Sequence, residues 1–335
     1  MTTQSEAAQN NDGAAGLLGS GWRRSLAAIA GGAIIVAAIF MGLDWLGIDY
    51  AYLAAYTVLQ FVVLATAWNI LGGYAGYVNF GSAGFFAIGV YTSVVVYQTI
   101  QLPILLTIPL AAATAGLVGL GMGYLTLRLR GVFFSIATLA LAVVLQTLVV
   151  NWEFVGGARG AYVLRPESVP VFGSYARYLF AVMLGLAIAS VIIARIVENS
   201  WLGRGLAAIR DDEVAAVCSG VPSLRLKLLA TTISGALMGV AGAPFPYFIT
   251  YVDPSTAFNL SIAVNTIAMP LIGGTTTWLG PVLGALLIGS LQQYLTVTIN
   301  SAANLLIVGV LLVFFITVAP NGIIGLVAQL RERRK

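Results

Sequence analysis

Charged residues are densest between positions 195 and 227, where five basic and four acidic side chains lie within one short stretch. Asp211 or Asp212 can accept hydrogen bonds at a helix N-terminus, and Glu213 is favourable in a first turn. The pattern therefore predicts a short helix that begins at Glu213. Charges of both signs distinguish this stretch from the purely basic clusters that bind lipid headgroups, and Arg210 and Glu213 could orient a docked partner.

The predicted helix is short and partly apolar. It ends at Ser219, because Gly220 suits the position after a helix and Pro222 prevents continuation. A second amphipathic piece precedes it at residues 205–210. Four apolar residues should share one face, which needs a partner surface or lipid headgroups: Leu206, Ile209, Val214 and Val217. A solvated surface helix is the alternative interpretation.

Five uncharged polar residues lie within or beside apolar runs and could line a path through a membrane. They are Asn69, Asn79, Thr138, Gln146 and Asn265. None of the 12 acidic residues lies in the middle of an apolar run. Proton-driven transporters usually carry such acids within the membrane, so proton coupling is disfavoured, while sodium coupling is less strictly excluded. Hydrogen bonding between helices is the alternative role for each of the five.

Glycines bracket a break between two apolar runs. Gly72 and Gly73 precede the break, and Gly81 and Gly84 follow it. Backbone groups that a break frees at membrane depth must face protein or a water-filled cavity. The break therefore predicts either close helix packing or a broken helix that lines a pathway. A similar pair of glycine motifs occurs at residues 273–281.

Several kinds of chemistry are excluded by missing residues. The chain has no histidine and one cysteine, Cys218, so we expect no metal site, no histidine base and no internal disulfide. A phosphate-binding loop needs Gly-Lys-Ser/Thr, and neither Lys227 nor Lys335 follows a glycine. The Gly-rich stretch at 156–160 is therefore no phosphate loop. It is a flexible loop or a docking point for an external partner.

The elements that must hold these residues are membrane helices. Of 335 residues, 59% are hydrophobic and 8% charged, and the mean hydropathy is +0.96. Soluble proteins carry about 25% charged residues. The sequence thus predicts an all-α integral membrane protein with about ten transmembrane helices. The apolar runs are 26–43, 51–71, 81–97, 104–127, 132–150, 178–197, 228–247, 261–279, 282–297 and 305–318.

The distribution of basic residues predicts the orientation. Ten crossings that start in the cytoplasm place 13 of the 16 basic residues on the inner side, as the positive-inside rule expects. Both termini should then be cytoplasmic, and nucleic-acid binding is disfavoured. We predict a disordered cytoplasmic tail at 1–21, a transmembrane domain at 22–330 and a basic cytoplasmic tail at 331–335. The charged cytoplasmic loop occupies 198–227.

The charged loop resembles the cytoplasmic loop of the Liv-type permeases, the membrane subunits of ABC importers for branched-chain amino acids. The matching residues are Gly203, Arg204, Arg210, Asp211, Asp212, Glu213, Ala215, Ala216 and Gly220. Further stretches that resemble the family lie at 68–76, 79–84, 128–134, 156–160, 251–254 and 273–285. The N-terminal tail and extra first helix are more similar to the M-type branch than to the shorter H-type branch.

The resemblance implies an ABC importer permease fold with alternating access, in a bacterial cytoplasmic (inner) membrane. The charged loop would dock into a groove of the ATPase through its small residues Ala215 and Ala216, with shape mattering more than charge. The implied partners are a homologous second permease in a heterodimer, two ATPases that hold ATP and Mg²⁺, and an extracytoplasmic binding protein. No cofactor and no catalytic residue is expected in this chain.

Other functions remain to be weighed against this one. A urea or short-chain amide importer of the same family would look much alike, because the binding protein largely sets the substrate. A passive channel for a small neutral solute explains the uncharged interior but leaves the charged loop unexplained. An ion-coupled transporter lacks membrane-depth acids, and an intramembrane enzyme lacks acid–base groups.

Overall fold

The computed structural model describes residues 29–32, 49–129, 131–164 and 173–298, together with residues 306, 309, 310, 313, 317 and 322–326. The chain divides after Ala51 into two compact units, and in the first one residues 29–32 and 49–51 are described and helical. Most of the predicted first and last apolar runs and both predicted tails lie outside the described residues. Arg130 and the loop residues 165–172 also lie outside them.

The described part is almost entirely helical. The long helices are α1 (Asp49–Gly72), α2 (Ser82–Thr99), α3 (Ile104–Thr126), α4 (Val132–Val150) and α5 (Tyr175–Asn199). The chain continues through α6 (Trp201–Asp211), α7 (Glu213–Cys218), α8 (Ser223–Gly242), α9 (Phe245–Ile249), α10 (Pro254–Ala257), α11 (Leu260–Gly273) and α12 (Leu279–Thr298). Two 3₁₀ turns, Glu153–Val155 and Gly157–Arg159, precede the short strand β1 (Ala161–Tyr162), and β2 (Tyr251–Val252) follows α9.

Six helical stretches of the described residues are long and apolar enough to cross a membrane. They are Tyr50–Gly72, Ile104–Thr126, Val132–Val150, Tyr175–Asn199, Ser223–Ile249 and Pro254–Gly273. A mostly helical fold with apolar helices long enough to cross a membrane is thus confirmed. One predicted run was wrong in extent, because α11 ends at Gly273 rather than near Leu279. Gly274 has φ of 115°, a conformation that suits glycine and turns the chain out of the helix.

The helices differ in how far the chain itself buries them. Within the most apolar 18 residues, the buried share is 78% in α1 and only 17% in α4. Trp68 and Tyr56 of α1 are among the largest fully buried side chains. Exposed α4 residues such as Val143 and Leu148 are apolar. The centre of the described bundle therefore lies at α1, whereas α4 offers its surface to lipid or to another subunit.

Close backbone packing joins α2, α3 and α8. A Cβ atom built on Gly89 of α2 would lie 2.0 Å from the carbonyl oxygen of Gly239 in α8. A Cβ on Gly239 would in turn lie 2.3 Å from the Cβ of Ala115 in α3. Small residues allow membrane helices to approach in this way. These three helices form the densest described part of the bundle, against which the other elements are positioned.

Candidate coupling site

The segment between α5 and α8, residues 200–222, is held by local helix caps; it is called the connecting segment below. Ser200 Oγ accepts a hydrogen bond from the backbone N–H of Gly203, 3.3 Å away, and so caps α6. Asp212 Oδ1 accepts from the N–H groups of Val214 and Ala215 at 2.8 and 3.0 Å. Asp212, rather than Asp211, therefore caps α7. Gly220 has φ of 89° and follows Ser219, the C-terminal cap of α7, a position where glycine is favoured.

The apolar residues of the connecting segment lie on two different surfaces. Leu206 and Ile209 are buried in α6, at 0% and 3% exposure, whereas Val214 and Val217 are 58% and 50% exposed in α7. The prediction that all four share one face was wrong, because the cap at Asp212 interrupts the helix and turns α7 away from the face of α6. A shorter face on α7 remains open to a partner.

The two alanines of α7, Ala215 and Ala216, also differ in burial. Ala215 is exposed, while Ala216 is 5% exposed and packs toward the rest of the chain. A large side chain at Ala216 would first disturb the seat of α7 on its own bundle. Ala215, Val214, Val217 and the exposed Cys218 are the residues that an approaching partner would meet.

Glu213 of α7 points into the protein and is bonded both to α8 and to the loop that follows α1. Its Oε1 accepts hydrogen bonds from Lys227 Nζ and from Ser223 Oγ, each at 2.6 Å. Its Oε2 accepts from the Tyr77 hydroxyl at 2.6 Å. The Lys227 ammonium also donates to the Tyr77 hydroxyl oxygen at 2.9 Å and lies 4.5 Å from the centre of that ring. The side chain of Lys227 is 3% exposed, so this is a nearly dry ion pair.

These hydrogen bonds set the charge of Glu213. Burial alone raises the pKa of this carboxyl, but the hydrogen bonds from Lys227, Ser223 and Tyr77 outweigh it and lower the pKa to about 2. A carboxyl whose folded pKa is depressed stabilises the folded state fully above its unfolded value of 4.5. The stabilisation is lost as the pH falls from there through about 2. Glu213 is thus ionised throughout the physiological range.

A second carboxylate anchors the start of the connecting segment. Glu198, near the end of α5, accepts hydrogen bonds from the backbone N–H of Trp278 at 2.8 Å and from the Tyr74 hydroxyl at 3.4 Å. Its other oxygen accepts from Arg195 Nη1 at 3.1 Å, and the Arg195 guanidinium lies 5.8 Å from the ring centre of Trp278. The end of α5 is therefore fixed to the loops that follow α1 and α11.

The arginines and glycines of the predicted loop have mainly structural contacts. Arg210 Nη1 donates to the Gly73 carbonyl at 3.3 Å, and Arg210 Nε lies 3.5 Å from the exposed Asp211. Arg204 Nη1 donates to the Asn199 carbonyl at 3.0 Å. A Cβ on Gly203 would lie 2.3 Å from the Val197 carbonyl oxygen, so the tight entry into α6 requires glycine here.

The five predicted pathway residues do not form one group. Asn79 and Thr138 meet at the break between α1 and α2, where Asn79 Oδ1 accepts from Gly81 N at 2.7 Å and Thr138 Oγ1 accepts from Phe80 N at 3.1 Å. Asn69 is also buried and lies against Gly73, on the α1 side of the same break.

The other two predicted pathway residues lie apart from this group. Asn265 Oδ1 accepts from Gln292 Nε2 at 3.0 Å, which ties α11 to α12. Gln146 is half-buried on α4, two turns beyond Thr138.

Sequence reasoning missed the inward partners of the loop: Tyr74, Tyr77, Glu198, Ser223 and Lys227. One signal was available, because Lys227 stands inside the run Leu226-Lys227-Leu228-Leu229. A buried lysine needs an acidic or hydrogen-bonding partner, and Glu213 is the carboxylate that meets it. The tyrosines had no such signal, since their contacts span 124 and 136 residues along the chain.

Comparison with known proteins identifies the chain. Residues 50–316 match the family described as the branched-chain amino acid transport system permease component. The chain belongs to this family. The permease is therefore a multi-pass subunit of an ABC transporter in the inner membrane rather than an enzyme. It works in a membrane complex with other permease and ATPase subunits.

Individual relatives agree with the family. The permease is 27% identical over 289 residues to the high-affinity branched-chain amino acid transport system permease protein LivM of Escherichia coli, across 79% of this chain and 67% of LivM. It is 23% identical to the probable LivH of Methanocaldococcus jannaschii, across 74% and 82% of the two chains. The solved PsaBC from Streptococcus pneumoniae in complex with Fab aligns with a TM-score of 0.44 and 14% identity, over 80% of this chain and 91% of that one.

Proposed function

We propose that this permease forms part of the translocation pathway of an ATP-driven importer for branched-chain or related amino acids, and that the connecting segment docks its ATPase. The observation that carries the docking proposal is the two-sided character of α7. One side is fixed to the bundle by the Glu213–Lys227 pair at 2.6 Å. The other side exposes Val214 and Val217, which gives a short rigid apolar plug.

The dimensions of α7 fit docking better than a scaffold role. Six residues at 1.5 Å each make a helix of about 9 Å, which suits insertion into a groove. Beside it the surface has a cavity of about 600 Å³, whose lining includes Leu127, Val217 and Leu224. An ATPase surface that seats on α7 would also close this cavity.

The proposed assembly contains a second, homologous permease in a heterodimer, two ATPases and an extracytoplasmic binding protein. ATP and Mg²⁺ would be bound by the ATPases. The permease domain would span residues 22–330 with about ten helices and both termini in the cytoplasm, flanked by the tails 1–21 and 331–335. Asn69, Asn79, Thr138, Gln146 and Asn265 would line or border the pathway.

The docking proposal is tested by changing the exposed face of α7. Val217→Asp places a charge in the apolar contact, so ATPase should no longer co-purify with the permease from detergent, and ATP-driven uptake in proteoliposomes should fall at least about tenfold. Val217→Ile keeps the face apolar and should behave as the unaltered protein. Normal ATPase binding by a stably folded Val217→Asp would disprove docking at α7.

The substrate is tested separately, because urea and short-chain amides are carried by similar permeases. Proteoliposomes that contain the complete transporter should accumulate labelled leucine, and unlabelled isoleucine or valine should compete with it. Urea or acetamide in the same excess should not compete. Accumulation of urea or an amide in place of leucine would assign the permease to that branch instead.

A further inference from the structure

The loop between α1 and α2, residues 73–81, is called the strap here, and its first half is fixed to the connecting segment. The Gly73 carbonyl accepts a hydrogen bond from Arg210 Nη1 at 3.3 Å. The hydroxyl of Tyr74 donates to Glu198 at 3.4 Å, and the hydroxyl of Tyr77 donates to Glu213 at 2.6 Å. Two tyrosines three residues apart thus reach the carboxylates that flank α6, Glu198 in α5 and Glu213 in α7.

The second half of the strap is fixed to the membrane helices. Trp68 Nε1 of α1 donates to the Asn79 carbonyl at 2.8 Å. From α4, Ser135 Oγ donates to the Val78 carbonyl at 2.8 Å, and Thr138 Oγ1 accepts from the N–H of Phe80 at 3.1 Å. These bonds satisfy backbone groups that the break would otherwise leave unpaired.

The strap is short enough to carry a displacement from one end to the other. Only Val78 separates Tyr77, which is bonded to the connecting segment, from Asn79, which is bonded to α1. Gly76, at φ of 74°, lies over Arg210, and a Cβ there would be 3.1 Å from Arg210 Cγ. A shift of α7 by an ångström would therefore have to move the strap or break the Tyr77 bond.

Helix α4, which contacts the second half of the strap, has the smallest buried share of the six candidate membrane helices. In α4 only 17% of the most apolar 18 residues are buried, and its Thr138 meets the buried Asn79 at the break. A helix with little internal packing can be displaced at a lower cost than α1, which is 78% buried over the same length. Movement of the strap would thus displace α4 and the polar residues at the break between α1 and α2.

We infer that Tyr77, with Tyr74 in support, is a positioning residue that transmits movement of the connecting segment through the strap to α4 and the α1–α2 break. This inference rests on the proposed docking of an ATPase at α7. It adds the route by which docking reaches the polar interior. Tyr77 is the stronger link, because its hydroxyl both donates to Glu213 and accepts from the Lys227 ammonium, and bonds to charged groups are the strong ones.

Tyr77→Phe is the decisive variant because it removes only the hydroxyl, and with it the bonds to Glu213 and to Lys227. The ring remains to pack edge-on against Phe134, at 5.2 Å between centres, and to face the Lys227 ammonium. Lys227 and Ser223 still hold Glu213, so the buried charge keeps two hydrogen bonds. Two matched controls are available. Ser223→Ala removes a 2.6 Å bond to Glu213 but no bond to the strap, and Tyr124→Phe removes an exposed hydroxyl on α3.

The readout is the number of solute molecules taken up per ATP hydrolysed in proteoliposomes, with ATPase co-purification measured in parallel. For Tyr77→Phe we expect ATPase binding and hydrolysis to persist and the ratio to fall about tenfold, as the loss of about one hydrogen bond to a charged group implies. Tyr74→Phe, whose bond is longer, should lower the ratio about threefold. Both controls should keep the ratio of the unaltered protein.

Three results would overturn the inference. An unchanged ratio in Tyr77→Phe means that the strap does not transmit. A fall of equal size in Ser223→Ala means that the environment of Glu213 matters rather than the strap. Loss of ATPase binding in Tyr77→Phe means that the hydroxyl only shapes the docking surface. If Tyr77→Phe fails to reach the membrane, an unchanged ratio in Tyr74→Phe overturns it. Failure of the docking proposal is seen separately, in Val217→Asp.

Discussion

At the scale of single residues, the carboxylate of Glu213 and the ammonium group of Lys227 form the centre of the candidate coupling site. Lys227 is almost wholly buried and Glu213 is 15% exposed, so neither charge is well solvated. Water-exposed ion pairs contribute about 0.2–1 kcal/mol, but removal of one partner from a buried pair leaves an uncompensated charge. The position of Glu213 inside the chain therefore makes it more critical than a charge at the rim of a docking surface.

The first prediction follows from this burial. Glu213→Gln should destabilise the permease by about 3 kcal/mol, because Lys227 is left buried and unpaired. Glu213→Gln combined with Lys227→Met should be less destabilising than Glu213→Gln alone, since it removes both charges. Thermal unfolding of the purified proteins in detergent measures both. A double variant that is less stable than Glu213→Gln would show that the pair's charges are not the cause.

Local sequence rules predicted part of this site and could not predict the rest. The caps depend on neighbours within three residues, so the pattern alone indicates Gly220 and narrows the N-terminal cap to Asp211 or Asp212. The direction of Glu213 depends on Tyr77, which is 136 residues away, and on the helix packing that brings the two together. The same limit applies to Ala216. A small residue suits close packing, but the sequence does not show whether the packing surface belongs to a partner or to the permease itself.

At the scale of elements, glycine determines how closely α2 and α8 approach. The backbone at Gly89 lies so near Gly239 that a side chain has no room. Gly121, on the exposed surface of α3, has open space instead, since a Cβ atom there would meet nothing within 4 Å. The two glycines thus have opposite roles, although both occur in apolar helices.

The second prediction compares these two positions. Gly89→Ala should destabilise the bundle by about 1–3 kcal/mol, since the helices must separate or shift. Gly121→Ala should have no cost and could stabilise its helix by up to about 1 kcal/mol, because alanine has the higher helix propensity. The midpoint of thermal unfolding should therefore fall for Gly89→Ala only. Equal midpoints for the two variants would contradict the packing at Gly89.

Apolar runs predicted where the helices lie but not where they bend or stop. Runs such as 104–127 and 132–150 became α3 and α4 almost unchanged, because length and hydropathy suffice for them. The run 261–279 was divided at Gly274, and the run 228–247 continues through α9 as far as Ile249. Helix ends depend on single backbone conformations and on contacts with other helices, which composition does not contain.

At the scale of the whole molecule, the orientation in the membrane remains a prediction, and the only cysteine can test it. Cys218 is exposed at the end of α7, on the side that the basic residues assign to the cytoplasm. Tyr162 in β1 is 70% exposed and follows the opposite end of α4. Variants that each carry one cysteine, at position 218 or at position 162, can therefore report which side of the membrane each end of the bundle faces.

The third prediction uses these variants. When the permease is produced without its ATPase, a membrane-impermeant maleimide should label Cys218 in inside-out vesicles but not in intact spheroplasts. Cys218→Ser combined with Tyr162→Cys should show the reverse, and Cys218→Ser alone should remain unlabelled. Labelling of Cys218 from outside the spheroplasts would reverse the proposed orientation of the connecting segment, and with it the docking of a cytoplasmic ATPase.

The small sheet has a consequence for the order in which the chain is completed during synthesis. β1 pairs with β2 through Ala161–Val252 and Tyr162–Tyr251, and the Tyr251 hydroxyl donates to the Arg159 carbonyl, 92 residues back along the chain. Ribosomes add about 5–20 residues per second, so β1 waits roughly 5–20 s for its partner. During that interval α5 to α9 are synthesised while β1 has no partner strand. The β1–β2 contact thus closes this end of the bundle only after α8 and α9 have been made.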